Sequence, residues 1–241
     1  MVMELADNDS FYEYLNNNNA TWNDRISILL DISIGLVHLH NSDLVHQDLH
    51  PGNLVLNAYK SLFITDLGLC KPVNQSLQSN DIYGVMPYVA PEVLKGKPYT
   101  KAADIYSFGM IMYFAATGRQ PFYNCAHELP LAMNICKGIR PELNEYKAPK
   151  CYIDLMKKCW NSNPENRPNA NEIKELIKLF YDSEYNNGDD EMKKEFEKAE
   201  DYRKANSLSN ENSQLITHPQ ATYTSRLLNP YTDSLAIDFT K

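Results

Sequence analysis

The stretch HQDLHPGN, His46–Asn53, decides the fold of this sequence. Asp48 stands five residues before Asn53, and a proline and a glycine between them hold the backbone in a tight loop. A carboxylate can accept a proton, and carboxylate and amide oxygens suit a hard cation. The stretch therefore suggests a phosphate-transfer centre whose other parts lie close by in the fold.

The elements on either side of this loop can be read from hydrophobic periodicity. Apolar residues recur at a spacing near 3.6 over Trp22–His40, which predicts a long, largely buried helix. Two short apolar runs, Asn53–Asn57 and Ser61–Thr65, predict a small β-hairpin. Asp66 follows the hairpin at once, so Asn53 and Asp66 lie on either side of it, where both can meet one Mg²⁺ ion.

Further along the chain the same spacing predicts four more helices, punctuated by prolines, at residues 102–117, 128–137, 151–160 and 169–181. The predicted fold is therefore mainly α, with one small catalytic β-hairpin.

The composition changes near residue 183, after which Asn, Ser, Glu and Lys dominate. We expect this acidic, polar tail to lie outside the core. Within it, residues 189–205 predict a short amphipathic helix with Met192, Phe196 and Ala199 on one face. Beyond Asn206 we expect disorder, with a transient strand at residues 234–239.

Charge and composition exclude several classes of protein. A net charge of -8 without any basic stripe argues against nucleic acid as a partner. No apolar run approaches the roughly 20 residues that span a bilayer, so no membrane association is expected. The five cysteines form no CxxC pair and no disulfide framework, which indicates reduced thiols and a cytoplasmic protein.

Three motifs in order resemble the protein kinase family: His46–Asn53 matches the H-x-D-L-x-x-x-N catalytic loop, Asp66–Gly68 the D-F-G position, and Ala90–Glu92 the A-P-E motif. Further matches are DIYSFGM at Asp104–Met110 and NPENRP at Asn163–Pro168. The Pro-x-Asn catalytic loop and the stretch GVMPYVAPE favour the tyrosine-kinase-like group. The resemblance covers the hinge and C-terminal lobe, about residues 2–182, which implies a kinase domain at 1–182, incomplete at its N-terminus, and a tail at 183–241.

The resemblance implies the role of each site residue in phosphate transfer from ATP to a protein substrate. Asp48 would accept the proton of the substrate hydroxyl, and Asn53 and Asp66 would hold Mg²⁺. His50 stands where Ser/Thr-directed members carry a lysine that touches the transferring phosphate.

Adenine contacts are implied at two places. The stretch VMELAD resembles the hinge, whose backbone around Glu4 and Ala6 would meet the adenine edge. Leu54 and Val55 would form the lower adenine wall, although ordinary core packing is an alternative reading of both residues.

Two structural contacts follow from the same resemblance. Glu92 is expected to form a largely buried ion pair with Arg167. Asp104 is expected to hydrogen-bond the backbone of the catalytic loop.

Three positions depart from the family pattern. Gln47 replaces the arginine that would read a phosphate on the activation segment, and Val85 replaces a threonine that commonly bonds the catalytic-loop lysine and aspartate. His50 replaces that lysine, and an imidazole is only fractionally charged at neutral pH, so reduced activity is expected.

The chain opens at the hinge, without the glycine-rich loop, the strand lysine or the helix glutamate that the family uses around the phosphates. By itself it is therefore expected to be a poor or inactive kinase. Two hypotheses stay open: a tyrosine-kinase-like Ser/Thr kinase whose N-terminal lobe lies upstream, and a non-catalytic, pseudokinase-like module that binds a regulatory protein partner.

Overall fold

The structure, a computed structural model, describes residues 11–17, 20–76, 81–143, 147–185, 190–207 and 217–229. Its helices are α1 (Phe11–Asn17), α2 (Trp22–Asn41), α3 (Val73–Ser76), α4 (Pro91–Leu94), α5 (Lys101–Thr117), α6 (Leu129–Cys136), α7 (Lys150–Cys159), α8 (Ala170–Tyr185) and α9 (Asp190–Ser207). Its strands are β1 (Leu44–Val45), β2 (Leu54–Leu56), β3 (Leu62–Ile64), β4 (Lys71–Pro72), β5 (Tyr83–Gly84) and β6 (Arg226–Leu227). Antiparallel pairing joins β1 to β4, β2 to β3 and β5 to β6.

These elements confirm the mainly α prediction. The long helix begins at Trp22 as expected, the hairpin is β2 and β3, and α5 to α8 correspond to the four further helices. Over the described ranges the strands form two-stranded sheets only. Within the same ranges, no helix has the length and apolar character needed to cross a membrane.

Helices α2 and α5 form the centre of the core. Thr21 starts α2 with a capping box: its hydroxyl accepts the Asp24 backbone N–H at 3.2 Å, and its own N–H donates to the Asp24 carboxylate at 2.8 Å. Helix α5 is buried from Ala103 to Ala115. It ends at Gly118, whose left-handed φ of 67° suits glycine.

A buried ion pair ties the end of the activation segment, the stretch between the motifs at Asp66–Gly68 and Ala90–Glu92, to the helical core, as predicted. Arg167 donates from its two terminal nitrogens to the two carboxylate oxygens of Glu92, at 2.6 and 2.8 Å. The same guanidinium donates to the carbonyls of Ala102 and Asn161, both at 2.8 Å. The buried arginine therefore donates four hydrogen bonds, two of them to its carboxylate partner.

The expectation that the tail lies outside the core is wrong for α9. Phe196 and Ala199 are buried, and the Phe196 ring contacts those of Trp22 and Phe180 at centroid distances of 5.9 and 5.7 Å. The apolar face of α9 covers α2, α7 and α8, so a helix of mostly charged residues completes the core. Helix α8 continues to Tyr185, so the predicted boundary after residue 182 falls inside a helix.

The expectation of disorder beyond Asn206 is wrong for residues 217–229. This segment contains β6, and its Leu228 is fully buried. The partner strand β5 lies in the activation segment, about 140 residues earlier in the sequence, so no local pattern reveals the pairing. The predicted strand at residues 234–239 and the hinge residues Glu4 and Ala6 lie outside the described residues.

Candidate active site

Asp104, on the first turn of α5, fixes the backbone of the loop that carries Asp48. Its carboxylate accepts the N–H groups of His46 at 2.9 Å and Gln47 at 3.1 Å, and it lies 3.0 Å from Nε2 of His40. Asp104 is 1% exposed, so these bonds are shielded from water. The contact expected between Asp104 and the loop backbone is confirmed.

His46 connects the loop to the far side of the hairpin. It is fully buried; its Nδ1 accepts the Asp48 N–H at 3.3 Å, and its Nε2 donates to the Thr65 carbonyl at 3.1 Å. Thr65 directly precedes Asp66. The His46 imidazole therefore links the backbone at Asp48 to the backbone next to Asp66. His46 is a functional residue that its place in the motif alone does not reveal, because the bridge depends on the fold of the hairpin.

Asn53 lies at the other end of the loop and is also held on both sides. Its side-chain nitrogen donates to the Asp48 carbonyl at 2.8 Å, and its own carbonyl accepts the Thr65 N–H at 2.9 Å. The first bond uses the nitrogen of the side-chain amide, so the side-chain oxygen is available as a ligand for a cation. The structure thus brings Asp48, Asn53 and the residue before Asp66 into one hydrogen-bonded unit.

Asp66 follows the hairpin in a left-handed conformation, with φ 55° and ψ 65°. Aspartate tolerates this region better than most residues, but it still costs about 1–2 kcal/mol. One carboxylate oxygen accepts the Gly68 N–H at 3.3 Å, and the residue is otherwise exposed. The backbone is therefore held in a strained form that presents an open carboxylate.

His50 faces Asp48 from the end of the same loop. Its Nδ1 accepts the Gly52 N–H at 3.1 Å, which leaves Nε2 as the donor, 3.8 Å from the Asp48 carboxylate. Burial disfavours the charged form of Asp48, but His50 and the Ser225 hydroxyl stabilise it and hold the pKa of Asp48 below its usual value. The carboxylate is therefore ionised at neutral pH and able to accept a proton.

Gln47, directly before Asp48, has an unusual backbone conformation. It adopts a left-handed φ of 71°, and its side-chain nitrogen is buried without a hydrogen-bond partner among the residues that the structure describes. The amide cannot supply the positive charge of the arginine that the family pattern has here.

The two adenine-wall candidates differ in exposure. Leu54 is fully buried in the core cluster, whereas Val55 is half-buried. A fully buried side chain offers no surface to a ligand, so Leu54 acts here as core. Val55 keeps the exposure that a nucleotide contact requires.

Replacing Asp104 with asparagine is expected to lower the free energy of unfolding by about 1–3 kcal/mol. The asparagine would have an NH₂ group in place of one carboxylate oxygen. One backbone N–H that now donates to that oxygen would therefore lose its acceptor and stay buried and unpaired. Denaturant unfolding monitored by circular dichroism measures the change. Asp154→Asn is the matched control, because Asp154 forms only an exposed pair with Lys150. Equal small shifts in the two variants would show that Asp104 does not hold the loop.

A family model of the protein kinase domain matches residues 1–177. The serine/threonine-protein kinase STY17 of Arabidopsis thaliana is 29% identical over 198 residues, which are 81% of this chain and 34% of that protein. The dual serine/threonine and tyrosine protein kinase of Xenopus tropicalis is 35% identical over 162 residues, 66% of this chain and 17% of that protein. A probable serine/threonine-protein kinase of Dictyostelium discoideum is 30% identical over 175 residues, 72% of this chain and 11% of that protein.

The chain thus spans about a third or less of the length of these relatives. The family match nevertheless covers most of the chain and contains the loop at Asp48, the hairpin, Asp66 and the Glu92–Arg167 pair. By this match, the chain belongs to the protein kinase family.

Proposed function

We propose that this protein transfers the γ-phosphate of ATP to serine or threonine hydroxyls of a protein substrate, as a kinase of the tyrosine-kinase-like group. The observation that carries the proposal is the hydrogen-bonded unit around the hairpin. Hydrogen bonds join one buried, ionised carboxylate, Asp48, to Asn53 and, through His46, to Thr65, the residue directly before Asp66.

Asp48 is proposed as the group that orients the substrate hydroxyl and accepts its proton. The Asp48 N–H donates to His46 Nδ1, and the N–H groups of the two preceding residues donate to the Asp104 carboxylate, so the backbone of Asp48 is fixed before substrate arrives. Such positioning contributes to rate because the carboxylate need not be reorganised during the reaction.

Asn53 and Asp66 are proposed as the side chains that hold Mg²⁺. Among the described residues, no group of three or more His, Cys, Asp or Glu is placed to bind a metal ion. Magnesium is commonly bound by one or two protein oxygens together with substrate phosphates and water, so these two donors fit. When bound, the ion would neutralise charge on the transferring phosphate.

Nucleotide contacts are proposed at the half-buried Val55, for the lower face of the adenine, and at the backbone of Glu4 to Ala6, for its edge. The cytoplasm is proposed as the location. Its support is chemical: Cys70, Cys125, Cys136, Cys151 and Cys159 are all free thiols.

Slow turnover is proposed for this centre. His50 uses one nitrogen to accept the Gly52 N–H, so it has a single donor where a lysine would have three. Val85 is buried and brings methyl groups where a threonine would bring a hydroxyl. Fewer donors then stabilise the transferring phosphate.

These same replacements favour a second candidate, a non-catalytic module that binds a regulatory protein partner. The two candidate functions differ in whether Asp66 binds the Mg²⁺ ion that accompanies ATP. The Mg²⁺ dependence of ATP binding therefore separates them.

Asp66→Asn is expected to weaken ATP binding to the intact protein at least about tenfold in the presence of Mg²⁺ and little in its absence. Asparagine also tolerates the left-handed backbone, so the fold should be kept. Titration calorimetry with and without Mg²⁺ measures both affinities.

Asp43→Asn is the matched control, since Asp43 is an exposed aspartate with the same φ of 55°. Equal Mg²⁺-dependent affinities in the two variants, or no ATP binding to the wild-type protein, would argue for the non-catalytic module.

A further inference from the structure

Residues 217–229, the docked segment, pair with strand β5 of the activation segment through the short strand β6. In the β5–β6 pair, Tyr83 faces Leu227 and Gly84 faces Arg226. The pairing continues through Leu228, whose N–H donates to the Ile82 carbonyl at 2.7 Å. Backbone pairing of this kind is how many proteins receive an extended peptide.

Other contacts hold the first half of the docked segment against the loop between α5 and α6. The His218 N–H donates to the Tyr123 carbonyl at 2.8 Å, and the Tyr223 hydroxyl donates to the Pro121 carbonyl at 2.9 Å. His127, fully buried, accepts the Thr222 N–H at 3.1 Å and packs edge-on against the Tyr223 ring at 4.8 Å.

Two further side chains of the docked segment have defined places. Leu228 is fully buried in the core cluster. Arg226 donates a hydrogen bond to the His127 carbonyl. The segment therefore has one buried apolar anchor and one guanidinium contact after Ser225.

Ser225 lies between these two sets of contacts, directly beside the candidate base. Strand β5 passes over Asp48 so closely that a Cβ on Gly84 would lie 3.6 Å from its carboxylate. Gly84 has a φ of 145°, which only glycine adopts readily. Ser225 is next to Arg226, the partner of Gly84, so the strand pairing places it close to Asp48, and its hydroxyl is among the groups that lower the pKa of that carboxylate.

The exposure of Ser225 agrees with a role as acceptor. The residue is exposed, whereas the neighbouring Asp48 is buried. Its exposure leaves Ser225 accessible to a phosphate donor. Thr224, the preceding residue, is also exposed but has no described contact with Asp48.

We propose that the docked segment occupies the protein-substrate groove as an internal substrate, with Ser225 in the place of the hydroxyl that receives phosphate. The proposal rests on the proposed kinase function for its chemistry. It also assigns the substrate class: extended peptides with a serine acceptor, an arginine directly after it and an apolar residue three positions after it, as in Ser225, Arg226 and Leu228.

The transfer step involves one bond made and one bond broken. The Ser225 oxygen bonds to the γ-phosphorus of ATP, while the bond from that phosphorus to the β–γ bridging oxygen breaks and its electron pair leaves with ADP. The hydroxyl proton passes to Asp48. The product carries close to two negative charges beside that aspartate, which disfavours the docked position and opens the groove.

The test compares Ser225→Glu with Thr224→Glu in the intact protein, because both positions are exposed and neither change alters the core. Hydrogen exchange reports the Leu228 amide, and fluorescence anisotropy reports binding of a labelled synthetic peptide, THPQATYTSRLLN, with the sequence of residues 217–229. Ser225→Glu should place a second carboxylate beside Asp48 and expel the segment. We expect faster exchange at Leu228 and at least about tenfold tighter peptide binding than in the wild type, whereas Thr224→Glu should match the wild type.

Equal exchange and equal peptide affinity in the two variants would overturn the proposal. Mass spectrometry after incubation with Mg²⁺ and ATP adds a chemical readout, in which phosphate on Ser225 supports the acceptor assignment. Phosphate on an added peptide but none on Ser225 would overturn that assignment. A protein that transfers no phosphate, yet shows the exchange and affinity differences, would refute the proposed function while supporting the docked segment.

Discussion

Replacing Arg167 with alanine is expected to lower the free energy of unfolding of the 241-residue chain by about 3–5 kcal/mol. The guanidinium is bidentate to Glu92 and also donates to two carbonyls, and its side chain is fully buried. Removing it leaves the Glu92 carboxylate buried without its cation, which is the costly way to break such a pair. For a domain of this size the melting temperature should fall by roughly 6–20 °C.

Arg203→Ala is the control for this measurement. Arg203 pairs with Glu200 on the same helix, and both side chains keep some contact with water. An ion pair of that kind contributes under about 1 kcal/mol. Similar small shifts for Arg167→Ala and Arg203→Ala would contradict the structural role of the Glu92–Arg167 pair. The prediction holds whether the protein is a catalyst or a binding module.

Asp48→Asn is expected to reduce phosphate transfer by the intact protein about 10²- to 10⁴-fold, since the amide cannot accept the substrate proton. The change is nearly isosteric, so the melting temperature should change little. Steady-state turnover at saturating ATP and peptide, measured beside thermal melting, separates lost chemistry from lost fold.

The pH dependence gives a second check on Asp48. The pKa of Asp48 is lowered in the folded protein. As pH falls, the carboxylate therefore keeps its charge down to the ordinary pKa of an aspartate and becomes protonated only below that value. Wild-type turnover should therefore show no loss from Asp48 between pH 6 and 8. Unchanged turnover in Asp48→Asn would place the proton acceptor elsewhere.

The sequence predicted the helices and the hairpin well because their signals are local. Helix α2 has apolar residues at regular spacing behind a Thr21 cap, and the hairpin has two short apolar runs with a turn between them. The positions of Asp104 and Arg167 could also be expected, because the family motifs that contain them fix their partners.

The rest could not be predicted because its stabilisation is not local. The sequence predicts the helix α9 and its apolar face, but it does not reveal the groove formed by α2, α7 and α8 that gives Phe196 a place in the core. Strand β6 has two residues, and its pairing energy comes from an activation segment far away in sequence. Ser225 could be placed beside Asp48 only once that register was known.

The most direct test of the account is transfer of labelled γ-phosphate from ATP, with Mg²⁺, to a serine peptide by the intact wild-type protein and by Asp48→Asn. Both proteins should bind ATP with similar Mg²⁺-dependent affinity, which removes nucleotide binding as a cause of any difference. The account predicts slow but steady transfer by the wild type and a loss of at least about 10²-fold in the variant. Wild-type transfer no faster than that of the variant, in protein that binds ATP and remains folded, would contradict it.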